Sequence, residues 1–168
     1  MNRTPYTLHH TPFKVGIIGP ESTGKSSLAR YLARRYKGTY VPEYARTYVE
    51  QKGSTEVSWN ELCEIARCQI EELEQIANSQ QPIAFFDTEL IVTKVWFDYA
   101  FGQVPKWLEE AIRRYPMDVY LLTYPDLPWV PDPARSNGSD AIRMELYARY
   151  EAEIQALDIP YYIIKHEK

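Results

Sequence analysis

Gly19-Pro20-Glu21-Ser22-Thr23-Gly24-Lys25-Ser26 is the stretch that decides the fold. It fits Gly-x-x-x-x-Gly-Lys-Ser, a phosphate-binding pattern that carries meaning only between a buried strand and a helix. Both neighbours are present. Before it, Phe13-Lys14-Val15-Gly16-Ile17-Ile18 is a short apolar run of the kind covered on both faces in a parallel sheet. After it, Leu28 and Leu32 fall at helical offsets, and Gly38 stops the helix. In such a loop the glycines let the backbone curl so that successive N–H groups point at phosphate oxygens. The helix adds its positive end, and Lys25 adds a mobile charge. Glu21, Ser22, Thr23 and Ser27 are expected around the phosphates of ATP, and Ser26 is expected to hold magnesium.

Outward from the loop, strand and helix signals alternate. Thr39-Tyr40-Val41 reads as a strand ending at Pro42, followed by a helix from Tyr44 to Lys52 closed by Gly53. From Trp59 to Ala77 the apolar residues keep close to a 3.6-residue period, which predicts an amphipathic helix with an acidic outer face. Ile83-Ala84-Phe85-Phe86 is a third strand ending at Asp87. A helical stretch with Val92, Val95, Trp96 and Tyr99 follows as far as Gly102, and another helix runs about Pro105 to Tyr115. A fourth strand, Asp118 to Thr123, leads into a segment too rich in proline for a helix interior or a sheet centre. Ser139 can cap a last helix through Leu157, and Tyr161-Tyr162-Ile163-Ile164 is a fifth strand. The expectation is an α/β P-loop NTPase with a five-stranded, mostly parallel sheet and helices on both faces. Residues 1–12 read as a flexible leader and residues 13–168 as a single domain, with a lid-like loop at about 124–140.

Composition narrows the function. A net charge of -4 argues against a broad basic face for nucleic acid, whose binding is dominated by neutralised phosphates. No apolar run approaches the roughly 20 residues of a membrane span, and the start of the chain lacks a secretory apolar core, so a cytoplasmic protein is expected. Cys63 and Cys68 are the two cysteines and read as reduced, structural thiols. His9 and His10 have no nearby Cys, Asp or Glu to complete a metal site.

Several residues could do chemistry. Asp87, at the end of an apolar strand, stands where a magnesium carboxylate sits in P-loop enzymes; the alternative is a helix N-cap. Glu43 and Arg46 leave the second strand together. One suits proton acceptance from an acceptor hydroxyl and the other suits holding substrate or the transferring phosphoryl, against the plainer reading of an exposed ion pair. Glu21 either contacts a substrate hydroxyl or points outward. Arg143 opposes the dipole of the last helix, which invites a functional reason, and Arg135 lies in the proline-rich segment. A loop closing over ATP and delivering these arginines would exclude water and stabilise phosphoryl charge; ordinary surface arginines are the alternative. Trp59, Trp96, Trp107 and Trp129 read as core or rim residues, with ring stacking open to any that lies near the crevice.

These residues carry a resemblance. The loop from Gly19 to Ser26, Pro42-Glu43-Tyr44-Ala45-Arg46, Phe86-Asp87-Thr88, and Trp129-Val130-Pro131-Asp132 with Arg135 resemble the ribosylnicotinamide kinase domain of NadR-type proteins. The order and spacing are similar over nearly the whole chain from Phe13 onward. The resemblance implies a nucleoside-kinase-like fold and ATP-dependent phosphorylation of ribosylnicotinamide to nicotinamide mononucleotide, a step of NAD biosynthesis or salvage. By position it makes Glu43, Arg46 and Asp87 motif residues, and Arg135 a lid arginine. The family's tryptophan before the motif glutamate, which stacks on the nicotinamide ring, is Pro42 here. The family chain also continues past the last strand into another helix, whereas this sequence stops at Lys168, so an abbreviated adenine pocket is expected. The adenylyltransferase domain of bifunctional members is not in this sequence. Kinases of another nucleoside or metabolite, and a nucleotide-binding regulatory ATPase, are the alternatives. A GTPase is disfavoured, because Thr93-Lys94-Val95-Trp96 lacks the aspartate that reads guanine.

Overall fold

The computed structural model describes residues 11–132 and 139–166. Five strands, β1 (Phe13–Ile18), β2 (Thr39–Val41), β3 (Ile83–Asp87), β4 (Val119–Thr123) and β5 (Tyr161–Ile164), form one sheet in the order β2-β3-β1-β4-β5. Every pairing in it is parallel. Among the described residues, six helices lie in the connections: α1 (Lys25–Tyr36), α2 (Tyr44–Lys52), α3 (Trp59–Ala77), α4 (Leu90–Phe101), α5 (Lys106–Arg114) and α6 (Asp140–Ala156). The alternation seen in the sequence is therefore the architecture.

Central β1 explains why its run is apolar at successive positions. Val15 and Ile17 pack with Ala29 and Ala33 of α1 and Phe85 of β3 on one face. Ile18 belongs to the larger core on the other face, built with α3, α4, α5 and α6. Ile17 and Ile18 are both wholly buried, so neither face of the strand meets water.

Register brings the chemistry to one edge. Ile17 pairs with Asp87, Ile18 with Leu122, and Val41 with Phe86, so the carboxyl ends of β1, β2, β3 and β4 lie side by side. The phosphate loop leaves β1 there, Glu43 follows β2, Asp87 ends β3, and Thr123 ends β4. This is the edge at which ligands bind in open parallel sheets. Chain approach at the edge is tight. A Cβ on Gly19, whose φ is +152°, would lie 2.2 Å from Thr123 Oγ1 and 2.6 Å from its carbonyl oxygen.

Local signals hold as read. Ser139 Oγ caps α6 by accepting from Ile142 N at 3.2 Å, and Ser58 with Glu61 forms a reciprocal cap on α3. The cap of α4 is Glu89, whose side chain accepts from Ile91 N at 3.0 Å. Asp87 is thus relieved of the capping role that its sequence position also allowed.

Candidate active site

The phosphate loop is braced from several sides. The hydroxyls of Thr23 and Thr123 are 2.6 Å apart, with the Pro20 and Ile18 carbonyls as their further acceptors at 2.9 and 3.2 Å. Lys25 Nζ donates to Pro20 O at 2.6 Å, the sort of contact a phosphate oxygen can replace. Ser22 adopts φ 55°, and its Oγ accepts from Val130 N at 3.2 Å. Trp129 Nε1 reaches Glu21 Oε2 at 3.5 Å, so Glu21 faces the segment after β4.

Arg143 is almost wholly buried, 1% exposed. Its Nε donates to Glu21 O at 3.1 Å, its Nη2 to Leu127 O at 2.8 Å, and its Nη1 pairs with Asp140 Oδ1 at 3.1 Å. Carbonyls of the loop and of the post-β4 segment account for its position against the helix dipole. In this conformation it braces the phosphate loop, where the sequence led us to expect contact with the nucleotide. Arg135 lies outside the described residues.

Asp87 is 1% exposed, and its Oδ2 accepts from Tyr40 OH at 3.1 Å. Burial, and then the Asp87 charge, hold the Tyr40 phenol above its ordinary pKa. Among the described residues, Asp87 Oδ1 and Thr88 Oγ1 are buried with no hydrogen-bond partner. A carboxylate oxygen left so is costly unless a ligand completes it. Thr88 also sits at φ 72°, a strained position for a β-branched residue of the kind that collects at functional sites. The donor set fits magnesium, which takes one or two carboxylates and otherwise water and substrate phosphate. No cluster of three or more His, Cys, Asp or Glu suited to a metal occurs among the described residues.

Two cavities meet at the loop. One, of about 440 Å³, lies between Ser22 and Gly24 to Ser27 on one side and Leu127, Pro128 and Val130 to Asp132 on the other. Ser26 and Ser27 thus line this cavity. The other, of about 250 Å³, has a polar end made by Gly19, Glu21, Lys25, Glu43, Arg46 and Thr88. Its body is apolar, with Val49, Val57, Leu62, Ile65, Val92, Trp96, Phe101, Leu146 and Tyr150. Lys25 lines both. Glu43 holds the N-cap position of α2 with extended backbone, so its side chain lines the cavity without being part of the helix. Arg46 pairs with Glu50 at 2.8 Å and with Asp132 at 2.9 Å, so its partners are a helix neighbour and the post-β4 segment.

The structure therefore brings Lys25, Glu43 and Arg46 to one cavity end and Ser22, Gly24, Ser26 and Ser27 to the other cavity. Trp96 joins the first of these, whereas Trp59 packs edge-on to Phe97 and Phe101, and Trp107 lies under Arg67. Tyr150 and Thr123 were not singled out in the sequence, because one reads as core periodicity in α6 and the other as the end of a strand. The free thiols of Cys63 and Cys68 lie outside the lining of both cavities. No helix among the described residues is long and apolar enough to cross a membrane.

A parallel sheet of this order with a phosphate loop after its central strand defines a kinase-like P-loop NTPase. The chain belongs to a family described as AAA domain, whose model matches residues 14–168. Within that family it is a NadR-type P-loop kinase domain. It is 31% identical over 134 residues to the trifunctional NAD biosynthesis/regulator protein NadR of Escherichia coli (strain K12), covering 78% of this chain and 33% of that protein. The Salmonella typhimurium protein of the same name is 30% identical over 132 residues, with 77% and 32% covered. The chain thus spans about a third of the length of these curated relatives. A crystal structure of NadR in complex with NAD and AMP-PNP superposes with a TM-score of 0.76 at 25% identity, over 94% of this chain and 46% of that one. Deoxyadenosine kinase from M. mycoides shares the fold, with a TM-score of 0.59 at 16% identity over 90% and 89% of the two chains.

Proposed function

We propose that the protein transfers the γ-phosphoryl of ATP to a hydroxyl of a small acceptor, and that the acceptor is ribosylnicotinamide. The observation that carries this reading is the pair of cavities that share Lys25. One suits the nucleotide, since the loop backbone and the start of α1 line it. The other offers apolar walls to a flat ring and a polar end to a sugar hydroxyl. NadR structures in complex with NR, and with NAD and AMP-PNP, support the choice of acceptor and donor.

In this reading Ser26 and Asp87 would hold magnesium, which when bound neutralises phosphate charge. Lys25 leaves Pro20 O for a phosphate oxygen. Glu43 orients the acceptor hydroxyl and takes its proton as the oxygen attacks, and Arg46 holds the acceptor end of the cavity. Arg135 is assigned to the lid by its motif position alone. With Pro42 in place of a stacking tryptophan, Trp96 is the tryptophan that lines the cavity, beside Phe101 and Tyr150, and is taken as the stacking partner of the pyridine ring. Glu43→Gln tests the assignment. Transfer to the acceptor is expected to fall by about 10² to 10⁴, with ATP affinity nearly unchanged; full activity in that variant would make the carboxylate structural.

A further inference from the structure

Tyr40 stands in β2, an edge strand, opposite Phe85 of β3. Side chains alternate along a strand, so Tyr40, Phe85 and Asp87 share the sheet face that α1 covers. From there the Tyr40 hydroxyl donates to Asp87 Oδ2 at 3.1 Å. The ring itself is held from two directions: it packs against the core shared by β1, β3 and α1, and the Arg30 guanidinium of α1 lies 5.4 Å from its centroid. Asp87 is 1% exposed, and its other oxygen, Oδ1, has no hydrogen-bond partner. A carboxylate tied at one oxygen cannot turn about its last bond without giving up that contact, so the open oxygen keeps a fixed direction. The donor is also neutral. An arginine or lysine in its place would cancel the charge that a cation needs, whereas a phenol orients the carboxylate and leaves the charge whole.

We propose that Tyr40 is a positioning residue for the magnesium carboxylate: its hydroxyl ties Asp87 Oδ2, the Arg30 guanidinium holds its ring, and Oδ1 is thereby presented to the cation that accompanies ATP. This rests on the reading of Asp87 given above. The arrangement joins α1, β2 and β3, and no motif in the chain announces it. Thr39-Tyr40-Val41 is a three-residue strand in which a tyrosine reads as an ordinary β-forming aromatic.

The test is calorimetric titration with AMP-PNP, once in magnesium and once in EDTA, for the wild type, Tyr40→Phe, Asp87→Asn and the double variant Tyr40→Phe/Asp87→Asn. Affinity in EDTA reports the folded phosphate loop, and the gain on adding magnesium reports the metal's hold on the protein. In Tyr40→Phe the affinity in EDTA should barely move, while the magnesium gain should fall about tenfold, the usual cost of removing a hydrogen-bond partner from a metal-binding side chain. A loss equal in both conditions would mark a structural tyrosine and overturn the proposal, as would an undiminished gain. Asp87→Asn should also lose the gain, and the double variant should lose no more than Asp87→Asn alone. Additive losses would overturn the proposal. A gain lost in Asp87→Asn and kept in Tyr40→Phe overturns this inference alone, whereas a full gain in Asp87→Asn overturns the reading beneath it as well. If Tyr40→Phe melts far below the wild type, Arg30→Leu, which keeps the phenol and removes the cation over its ring, carries the same comparison with a smaller loss of the gain; an unchanged gain there overturns the proposal.

Discussion

Arg46 on α2 holds Asp132 with both terminal nitrogens, Nη1 at 2.9 Å and Nη2 at 3.2 Å. Arg46 lines the cavity proposed for the acceptor and Asp132 the one proposed for the nucleotide, so the pair ties the two cavities together. The fork geometry belongs to arginine. A lysine keeps the charge and cannot make both contacts. Arg46→Lys is therefore expected to raise the KM of both substrates, not of the acceptor alone. A double-mutant cycle with Asp132→Asn should give a coupling of about 1 kcal/mol in chemical denaturation, since both partners are partly exposed. An effect confined to one substrate would mean that the pair bridges nothing.

Asp87→Asn separates metal handling from folding. Asparagine keeps an oxygen to accept from Tyr40, so the unfolding midpoint should stay close to that of the wild type. The charge behind the unpartnered oxygen is lost, and the magnesium concentration for half-maximal rate should rise about tenfold or more. A titration of rate against magnesium at fixed ATP reads this directly. An unchanged curve with an unchanged rate would remove Asp87 from the metal site.

Gly19→Ala is expected to destabilise the protein by about 2 kcal/mol or more, because the new methyl would collide with the backbone and hydroxyl of Thr123. Gly102→Ala is the control. Its φ is +65°, and nothing lies within 4 Å of the added atom, so only the backbone cost of roughly 1 kcal/mol should appear. Equal losses in the two variants would show that the close approach of β4 to the loop is not what fixes Gly19.

Glu89 gives a pH dependence of stability. Burial raises its pKa from 4.5 to about 7, against opposing hydrogen bonds from Ile91 and Tyr120. The folded state then binds a proton that the unfolded state has released, so stability is greatest below about 4.5 and falls as pH rises toward 7. The full contribution is roughly 3 kcal/mol. In Glu89→Gln, which retains an oxygen for Ile91 N, the fall between these pH values should be shallower by that amount. Denaturant midpoints at pH 5 and pH 7 for both proteins check it.

The fold was largely legible because its signals are local. A glycine loop after an apolar run, serine caps at Ser58 and Ser139, and glycine stops at Gly53 and Gly102 each depend on a few neighbouring residues. The phosphate-binding pattern was legible for the same reason. The apolar cavity beside Lys25 was not. Leu62, Ile65, Val92 and Tyr150 come from three helices, and each keeps the period of a core-facing residue, so nothing in the sequence separates a cavity wall from packed core. Arg143 marks the boundary between the two cases. Its conflict with the helix dipole was visible, but its partners, Glu21 O and Leu127 O, are set by tertiary packing.

The central claim is phosphoryl transfer to a pyridine riboside at the cavity beside Lys25. The direct measurement incubates the protein with γ-labelled ATP-Mg and ribosylnicotinamide, or with a panel of purine and pyrimidine nucleosides, and follows label in the monophosphate. Lys25→Ala is the control. Its Pro20 carbonyl keeps the Thr23 hydroxyl as a donor, so the fold should survive while transfer falls by about 10³ or more. The account predicts label in nicotinamide mononucleotide with the wild type, faster than in any other product, and none above background with Lys25→Ala. Label released only as inorganic phosphate, or transferred to other nucleosides and to no pyridine riboside, would contradict it.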